Sequence, residues 1–200
     1  MNIEQEYIDT EALLEGHFLL ASGNHSRRYL QSAKVLEEPK RAEIICKALA
    51  DIIQKSGIEI DTVCAPALGG VIAGYELARA LGVRSIFVEK KEGGMELRRG
   101  FKVAQNENIL ICEDIITTGG SAMKAAKAIE DLGANVVAFA SLANRGFCKR
   151  EGSSLEAKEE CKLPSSIPFF ALDDFTFEIY SPEECPMCKE GSVAIKPGSK

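Results

Sequence analysis

The sequence contains no run of apolar residues that approaches the roughly 18 needed for a membrane-spanning helix. Positive charge is also in short supply, because 24 Lys and Arg stand against 30 Asp and Glu and give a formal net charge of −6. A general nucleic-acid-binding protein would carry a basic face, so neither a membrane nor a nucleic acid is an expected partner. The acidic segment 1–15 lacks the basic and apolar regions of a signal peptide, which predicts a cytoplasmic protein.

Two common phosphate-binding signatures are missing as well. No Gly-Lys-Ser or Gly-Lys-Thr is present, which excludes a nucleotide-binding P-loop. The glycines never fall in the G-x-G-x-x-G spacing of dinucleotide-binding folds. Histidine occurs only as His17 and His25, so we do not expect a histidine as general acid. What remains is a chain of 200 residues, 46% apolar, which is long enough for one substantial core.

The most informative segment is 109–121, Ile-Leu-Ile-Cys-Glu-Asp-Ile-Ile-Thr-Thr-Gly-Gly-Ser. Its first four residues are apolar, as in a buried parallel strand. From Ser121 apolar residues recur at helical spacing as far as Leu132, and Gly133 follows as a helix stop. The segment therefore predicts a strand, a short loop and a helix, in that order.

The loop between this strand and this helix has the composition of a phosphate site. Unpaired backbone N–H groups and the helix dipole favour an anion at a helix N-terminus. Two glycines allow the backbone to close around a phosphate, and three hydroxyl side chains can donate to it. The loop residues are Thr117, Thr118, Gly119, Gly120 and Ser121. Glu113 and Asp114 would repel a phosphate, so they suit ribose hydroxyls or a hydrated divalent cation.

Helix-like and strand-like patterns alternate through the middle of the chain. Helices are predicted at 39–55, 71–81 and 121–132, and strands at 62–65, 85–89, 109–112 and 135–142. This alternation predicts an α/β fold with a parallel sheet and helices on both faces. We expect a single domain over residues 1–200, with a core at about 40–145 and a small hood formed from about 1–39 and 146–200.

The order of two acids, two apolar residues and Thr-Thr-Gly-Gly-Ser resembles the motif with which type I phosphoribosyltransferases bind phosphoribosyl diphosphate (PRPP). The resemblance implies that Glu113 and Asp114 contact the ribose hydroxyls and that the loop wraps the 5′-phosphate. An ordinary strand-to-helix turn with two solvated carboxylates is the alternative, although chance would rarely produce this order. The predicted PRPP-binding residues are Glu113, Asp114, Ile115, Ile116, Thr117, Thr118, Gly119, Gly120, Ser121, Gly69 and Gly70.

Gly69 and Gly70 lie in a second loop between a predicted strand and helix. Adjacent glycines permit close approach of the backbone to an anion, and in the family the loop at this place contacts the diphosphate. The alternative is a glycine turn required only for packing. Many members carry Tyr-Lys where this chain has Leu68-Gly69, so one diphosphate-binding lysine is missing here.

Residues 89–100 are charged and glycine-rich, which predicts a mobile loop or hairpin. A basic loop could neutralise a diphosphate leaving group, although charge runs are usually solvated surface. The cations are Lys90, Lys91, Arg98 and Arg99, and among them Lys90 and Lys91 are predicted to be catalytic together with Glu113 and Asp114. The resemblance implies a homodimer in which a flexible loop reaches the partner's active site.

Arg145 follows a predicted strand, where its guanidinium could pair with a substrate carboxylate. Orotate has a carboxylate and a purine base has none. Segments 16–30, 97–101 and 184–188 also resemble the orotate-specific members of the family. The resemblance therefore implies orotate contacts from Thr117 and Arg145, and a Mg²⁺ ion held mainly by substrate and water. A purine phosphoribosyltransferase and a PRPP-sensing regulator that binds nucleic acid are the alternatives.

Seven cysteines are present, and only Cys185 and Cys188 have the spacing of a metal-ligand pair. One such pair supplies two ligands, whereas structural zinc usually needs four. Cys148 and Cys161 could complete the set. The alternative is a zinc-free turn in the C-terminal tail.

Overall fold

The computed structural model describes residues 2–20 and 22–197. Over these residues the chain forms six helices and nine strands, in the order α1 (Ile3–Asp9), β1 (Leu13–Leu19), β2 (His25–Leu30), α2 (Ser32–Leu36), α3 (Pro39–Lys55), β3 (Thr62–Pro66), α4 (Gly70–Leu81), β4 (Arg84–Lys91), β5 (Gly94–Leu97), β6 (Asn108–Ile116), α5 (Gly120–Glu130), β7 (Asn135–Asn144), β8 (Phe169–Asp174), β9 (Ile179–Tyr180) and α6 (Pro186–Lys189).

Within the described chain, six strands form the larger sheet in the order β5-β4-β3-β6-β7-β8. Strands β4, β3, β6, β7 and β8 run parallel, and β5 joins the edge as the antiparallel arm of a hairpin. The predicted α/β fold with a parallel sheet is confirmed. The strand order reverses between β3 and β6, and ligands of such sheets bind beyond the carboxyl ends of the strands at this switch point.

The helices cover both faces of this sheet, as predicted. On β6, Ile109 and Ile111 pack with one side of α5 in a buried cluster, whereas α4 packs against α3 and against strands β3, β4 and β6. All four residues from Ile109 to Cys112 are fully buried, which explains the uninterrupted apolar run of a strand covered on both faces. None of the helices in the described ranges combines the length and the apolarity that a bilayer span requires.

Residues at the helix ends predict most of the helix boundaries correctly. Helix α3 begins at Pro39, where a missing N–H is harmless, and α4 ends at Gly82, whose φ of 75° provides the left-handed cap. Helix α5 ends at Glu130 and not at Leu132 as predicted, because Leu132 and Gly133 already form a turn through hydrogen bonds to Ile129 and Glu130.

Two compact units divide the described chain, Leu36–Phe175 and Asn2–Val35 with Thr176–Lys200. The second unit combines segments from both ends of the described chain, whereas residues 146–175, which the sequence predicts to be part of the hood, fall in the first unit. Backbone hydrogen bonds tie that segment to the rest of the first unit, since Lys162 N–H donates to the Thr118 carbonyl and Phe139 N–H donates to the Pro168 carbonyl. In the second unit, the described strands form a small antiparallel sheet in the order β1-β2-β9.

Candidate active site

Two strand-to-helix loops flank the switch point of the sheet. Strand β3 leads into α4 through residues 67–69, and β6 leads into α5 through residues 117–119. Because β3 and β6 are neighbouring parallel strands, both helix N-termini lie at the same edge of the sheet. The peptide bond between Ala67 and Leu68 is cis. The arrangement offers two sets of backbone N–H groups to one anionic ligand.

The first loop lies directly against the acidic residues of β6. A Cβ atom on Gly70 would lie 2.9 Å from the carbonyl oxygen of Cys112, closer than packed atoms allow. A Cβ atom on Gly69 would lie 3.1 Å from Oδ1 of Asp114. Glycine at position 70 is therefore required for packing, and the backbone at position 69 adjoins the carboxylate. The packing interpretation is confirmed at Gly70, and contact of this glycine pair with a diphosphate stays a prediction.

Glu113 and Asp114 resist becoming two neighbouring anions. Burial and the charge of Asp114 raise the pKa of Glu113 to about 8, against the opposing effects of the Ala122 N–H and the Lys90 charge. Burial also raises the pKa of Asp114, opposed by backbone N–H groups of Ile115 and of Asp114 itself. A site in which like charges are held together favours a cation or a set of hydroxyl donors as its occupant.

The backbone of the second loop, for which a phosphate site stays a prediction, requires glycine at its last residue. Gly119 has a φ of 81°, and a Cβ atom there would lie 2.5 Å from Cδ2 of Leu163, so both conformation and space require glycine. Two carbonyl oxygens of the loop accept hydrogen bonds from within the protein. The Cys148 thiol donates to that of Thr117, and the Lys162 N–H donates to that of Thr118 at 2.8 Å. These contacts fix the loop in place before any ligand binds.

Lys162 is a candidate site residue that the sequence did not reveal. Its Nζ atom lies 3.7 Å from the position that a Cβ atom on Gly120 would take, at the first residue of α5. The segment 149–163 is merely polar in sequence, and no local pattern distinguishes this lysine from its neighbours. Only the pairing of its backbone with Thr118 brings the ammonium group beside the loop.

The predicted mobile loop or hairpin is a hairpin formed by β4 and β5. Its four cations differ in their surroundings. Lys90 is the cation that lowers the pKa of Glu113, whereas Lys91 lowers that of Glu96. Arg98 and Arg99 form ion pairs with hairpin glutamates, at 2.8 Å to Glu96 and 2.6 Å to Glu89.

Arg145 occupies the end of β7, next to the second loop. Its backbone N–H donates to the carbonyl oxygen of Ile116 at 2.8 Å, which fixes it beside Thr117. Its side chain is 7% exposed, and Nε donates to the carbonyl oxygen of Phe175 at 3.3 Å. These contacts restrain the orientation of the guanidinium at the end of β7, and its pairing with a substrate carboxylate stays a prediction.

Comparisons with known proteins agree with this geometry. Residues 31–170 match the family described as "Phosphoribosyl transferase domain". Over all 200 residues the chain is 78% identical to an orotate phosphoribosyltransferase of Sulfurovum sp. (strain NBC37-1), with complete coverage of both chains. It is 68% identical to the orotate phosphoribosyltransferase of Wolinella succinogenes, covering 100% of this chain and 98% of the relative. The chain belongs to the orotate phosphoribosyltransferase family.

Solved structures show how widely this fold is used. The orotate phosphoribosyltransferase of Aeropyrum pernix is similar with a TM-score of 0.67 and 20% identity, covering 87% of this chain and 93% of that one. An adenine phosphoribosyltransferase is similar with a TM-score of 0.65 and 23% identity, covering 86% and 100%. Since proteins named for different bases share the fold, the fold by itself does not select the base.

The raised pKa of Glu113 predicts a pH-dependent stability. The folded chain holds the Glu113 proton with a pKa of about 8, against an ordinary value of 4.5, so raising the pH between these values lowers stability. The unfolding free energy of Glu113→Gln, relative to that of the unsubstituted chain, should therefore rise by about 2–4 kcal/mol from about pH 5 to pH 8.5 and stay at that plateau at higher pH. Urea unfolding at each pH measures the difference.

Glu96→Gln is the matched control for this titration. Glu96 is exposed, and its hydrogen bond with Arg98 lowers its pKa, so its removal should produce no gain over the same pH range. A stability difference between Glu113→Gln and the unsubstituted chain that stays constant from about pH 5 to pH 8.5 would contradict the raised pKa.

Proposed function

We propose that the two loops and the acid pair at the switch point carry out transfer of the 5-phosphoribosyl group from PRPP to orotate. The products are orotidine 5′-phosphate and diphosphate, in the pyrimidine (UMP) biosynthesis route. The observation that carries this proposal is the sequence identity of 78% and 68% to two orotate phosphoribosyltransferases over all 200 residues. It is supported by an edge of the sheet that combines two helix N-termini with two partly buried carboxyl groups.

The 5′-phosphate is assigned to the second loop. Backbone N–H groups at the start of α5 and the hydroxyls of Thr117, Thr118 and Ser121 donate to its oxygens. The Lys162 ammonium beside Gly120 adds a positive charge at the same place. These groups hold the ribose end of PRPP and contribute mainly by positioning C1′ for the reaction.

The diphosphate leaving group is assigned to the first loop. The backbone of Gly69 and Gly70 approaches it closely, as glycine permits. Lys90, which already acts on Glu113, is the hairpin cation best placed to neutralise the charge that develops as the bond to C1′ breaks. Glu113 and Asp114 would adjoin a Mg²⁺ ion held mainly by substrate and water, and that ion would supply positive charge against the leaving group.

The ribose at C1′ acquires oxocarbenium character as the diphosphate departs. Glu113 and Asp114 hold its two ribose hydroxyls. The developing positive charge lowers the pKa of both carboxyl groups, so they ionise and stabilise that charge. Orotate N1 attacks from a position set by Arg145, which pairs with the orotate carboxylate, and by Thr117. No covalent intermediate with the protein is needed, since the chain contributes position and charge complementarity.

Two further expectations remain predictions for this chain. They are a homodimer in which the hairpin is shared between active sites, and a cytoplasmic location. Neither a purine base nor a nucleic acid is favoured as a partner, because the relatives with full-length identity are named for orotate and the formal net charge is −6.

The proposed reaction is tested directly by diphosphate release from PRPP. We expect release with orotate and not with adenine, guanine or hypoxanthine. Asp114→Asn should lower turnover by about 100-fold or more, because it removes charge that stabilises the transition state, while leaving the circular dichroism spectrum unchanged. Release with a purine base in place of orotate would overturn the base assignment, and near-normal turnover in Asp114→Asn would overturn the role of the acid pair.

The adjacent residues Lys90 and Lys91 form a matched pair. Lys90→Ala should lower kcat/KM by about 10–100-fold, because its charge acts at the acid pair, whereas Lys91→Ala should stay within about twofold. Steady-state kinetics with both substrates measures the two effects. Equal losses in the two variants would contradict the distinction between the two lysines.

Arg145 should be selective for the base. Arg145→Ala is expected to raise the KM for orotate by about 30-fold or more while changing the KM for PRPP by less than about threefold, because a charged bidentate pair is lost. Arg145→Lys restores the charge without the planar fork and should recover only part of the effect. If both KM values rose equally, Arg145 would have a structural role instead.

A further inference from the structure

Four side chains of the second unit lie close together, and the proposed transferase reaction uses none of them. They are His17, His25, Cys185 and Cys188, and one nitrogen or sulfur atom from each lies within 4.8 Å of the others. Both histidines and Cys185 are buried, and Cys188 is partly buried. The four residues come from opposite ends of the chain, so only the folded unit brings them together.

Hydrogen bonding alone does not account for this cluster. Nε2 of His17 lies 2.9 Å from Nδ1 of His25, 3.5 Å from Sγ of Cys185 and 3.7 Å from Sγ of Cys188. A ring nitrogen has either one N–H or one lone pair, so it satisfies one partner and not three. Sγ of Cys188 also approaches Nδ1 of His25 at 3.3 Å. The contacts therefore surround a common centre.

The distances match the edges of a tetrahedral metal site. With Zn–N bonds of about 2.0–2.1 Å and Zn–S bonds of about 2.3 Å, tetrahedral geometry places two nitrogens about 3.3 Å apart and a nitrogen and a sulfur about 3.6 Å apart. The observed separations of 2.9 Å and 3.3–3.7 Å are within a few tenths of an ångström of these values. We propose that His17, His25, Cys185 and Cys188 bind one structural zinc ion.

A bulge in the hairpin of β1 and β2 places both histidines on one face. Near the start of β1, Glu15 pairs with Arg28, but farther along Phe18 pairs with Ser26, so one extra residue of β1 is inserted between them. Without that insertion His17 would pair with Ser26 and point away from His25, because successive side chains alternate between faces. The shifted register returns His17 to the face of His25.

The C-terminal segment brings the two cysteines to this face. Cys185 precedes α6 and Cys188 lies within it, three residues on, which places their side chains on the same side of a helical turn. The chain then continues beside β1, where Ile195 exchanges backbone hydrogen bonds with His17 and Leu19. The pair with metal-ligand spacing is thus completed by the two histidines and not by Cys148 and Cys161.

The surroundings of His17 also suit a zinc ligand. Its other ring nitrogen, Nδ1, lies 3.1 Å from the Ser192 hydroxyl, a contact that fixes the ring orientation and leaves Nε2 for the metal. Four protein ligands fill a tetrahedral site and leave no position for substrate, so the role is structural. The ion would join the N-terminal hairpin to the C-terminal turn in a unit with a small core of its own.

Metal analysis of the full-length protein, purified without chelators, tests this proposal. We expect about one zinc per chain by elemental mass spectrometry. The zinc content should fall by at least about tenfold in Cys188→Ser and in His25→Ala. Cys161→Ser is the matched control, because it changes a cysteine outside the cluster and should retain the metal. Replacement of zinc by Co²⁺ in the unsubstituted chain should give the visible absorption of a tetrahedral thiolate site, which remains a test even if the variants fail to fold.

Several results would overturn the proposal. These are zinc retained in Cys188→Ser but lost in Cys161→Ser, iron in place of zinc, or a protein without zinc that fails to take up Co²⁺ in tetrahedral form. A disulfide between Cys185 and Cys188 in the freshly purified protein would do the same. Chelation of the zinc should lower the melting temperature of the unsubstituted chain by several degrees, and an unchanged melting temperature would overturn the structural role.

Discussion

The confinement of two adjacent carboxyl groups at the end of a buried parallel strand is the constraint on which the site depends. Strand β6 is covered on both faces, and the two acids follow its fully buried residues. Glu113 and Asp114 are still partly buried at that position. Partial burial reduces the hydration of their charges, which raises both pKa values. The surrounding elements provide compensating groups, namely backbone N–H donors, Lys90 and the positive ends of two helices.

The compensation explains why glycines and cations cluster around the acid pair. Gly69 and Gly70 let the first loop approach β6, where any larger residue would displace it. Gly119 adopts the left-handed conformation that brings the start of α5 to the same edge. The acid pair therefore lies between two glycine-containing loops at helix N-termini, as the proposed binding of a sugar with phosphate groups at both ends requires. Along this edge of the sheet, the positive N-termini of α4 and α5 flank the two carboxyl groups, which is the charge pattern that the proposed ligand requires.

Local patterns were sufficient for the parts of the structure that are determined locally. The strand, loop and helix at 109–121 carry their signals in consecutive residues, and so do the ends of α3 and α4. The difference between Lys90 and Lys91 was not accessible, because the predicted strand ended at Glu89. Pairing with β5 extends β4 to Lys91, so the two lysines belong to opposite faces of a strand. Lys162, His17 and His25 likewise depend on contacts between residues far apart in the chain.

The division of the chain has a consequence for its synthesis. The unit Leu36–Phe175 is continuous and can form as soon as its residues leave the ribosome. The N-terminal hairpin is translated before this unit, and its partner segment beginning at Thr176 is translated after it. The hairpin must therefore wait for that segment, and the unit with the longest loop closure is completed only after the enzyme's sheet is already in place.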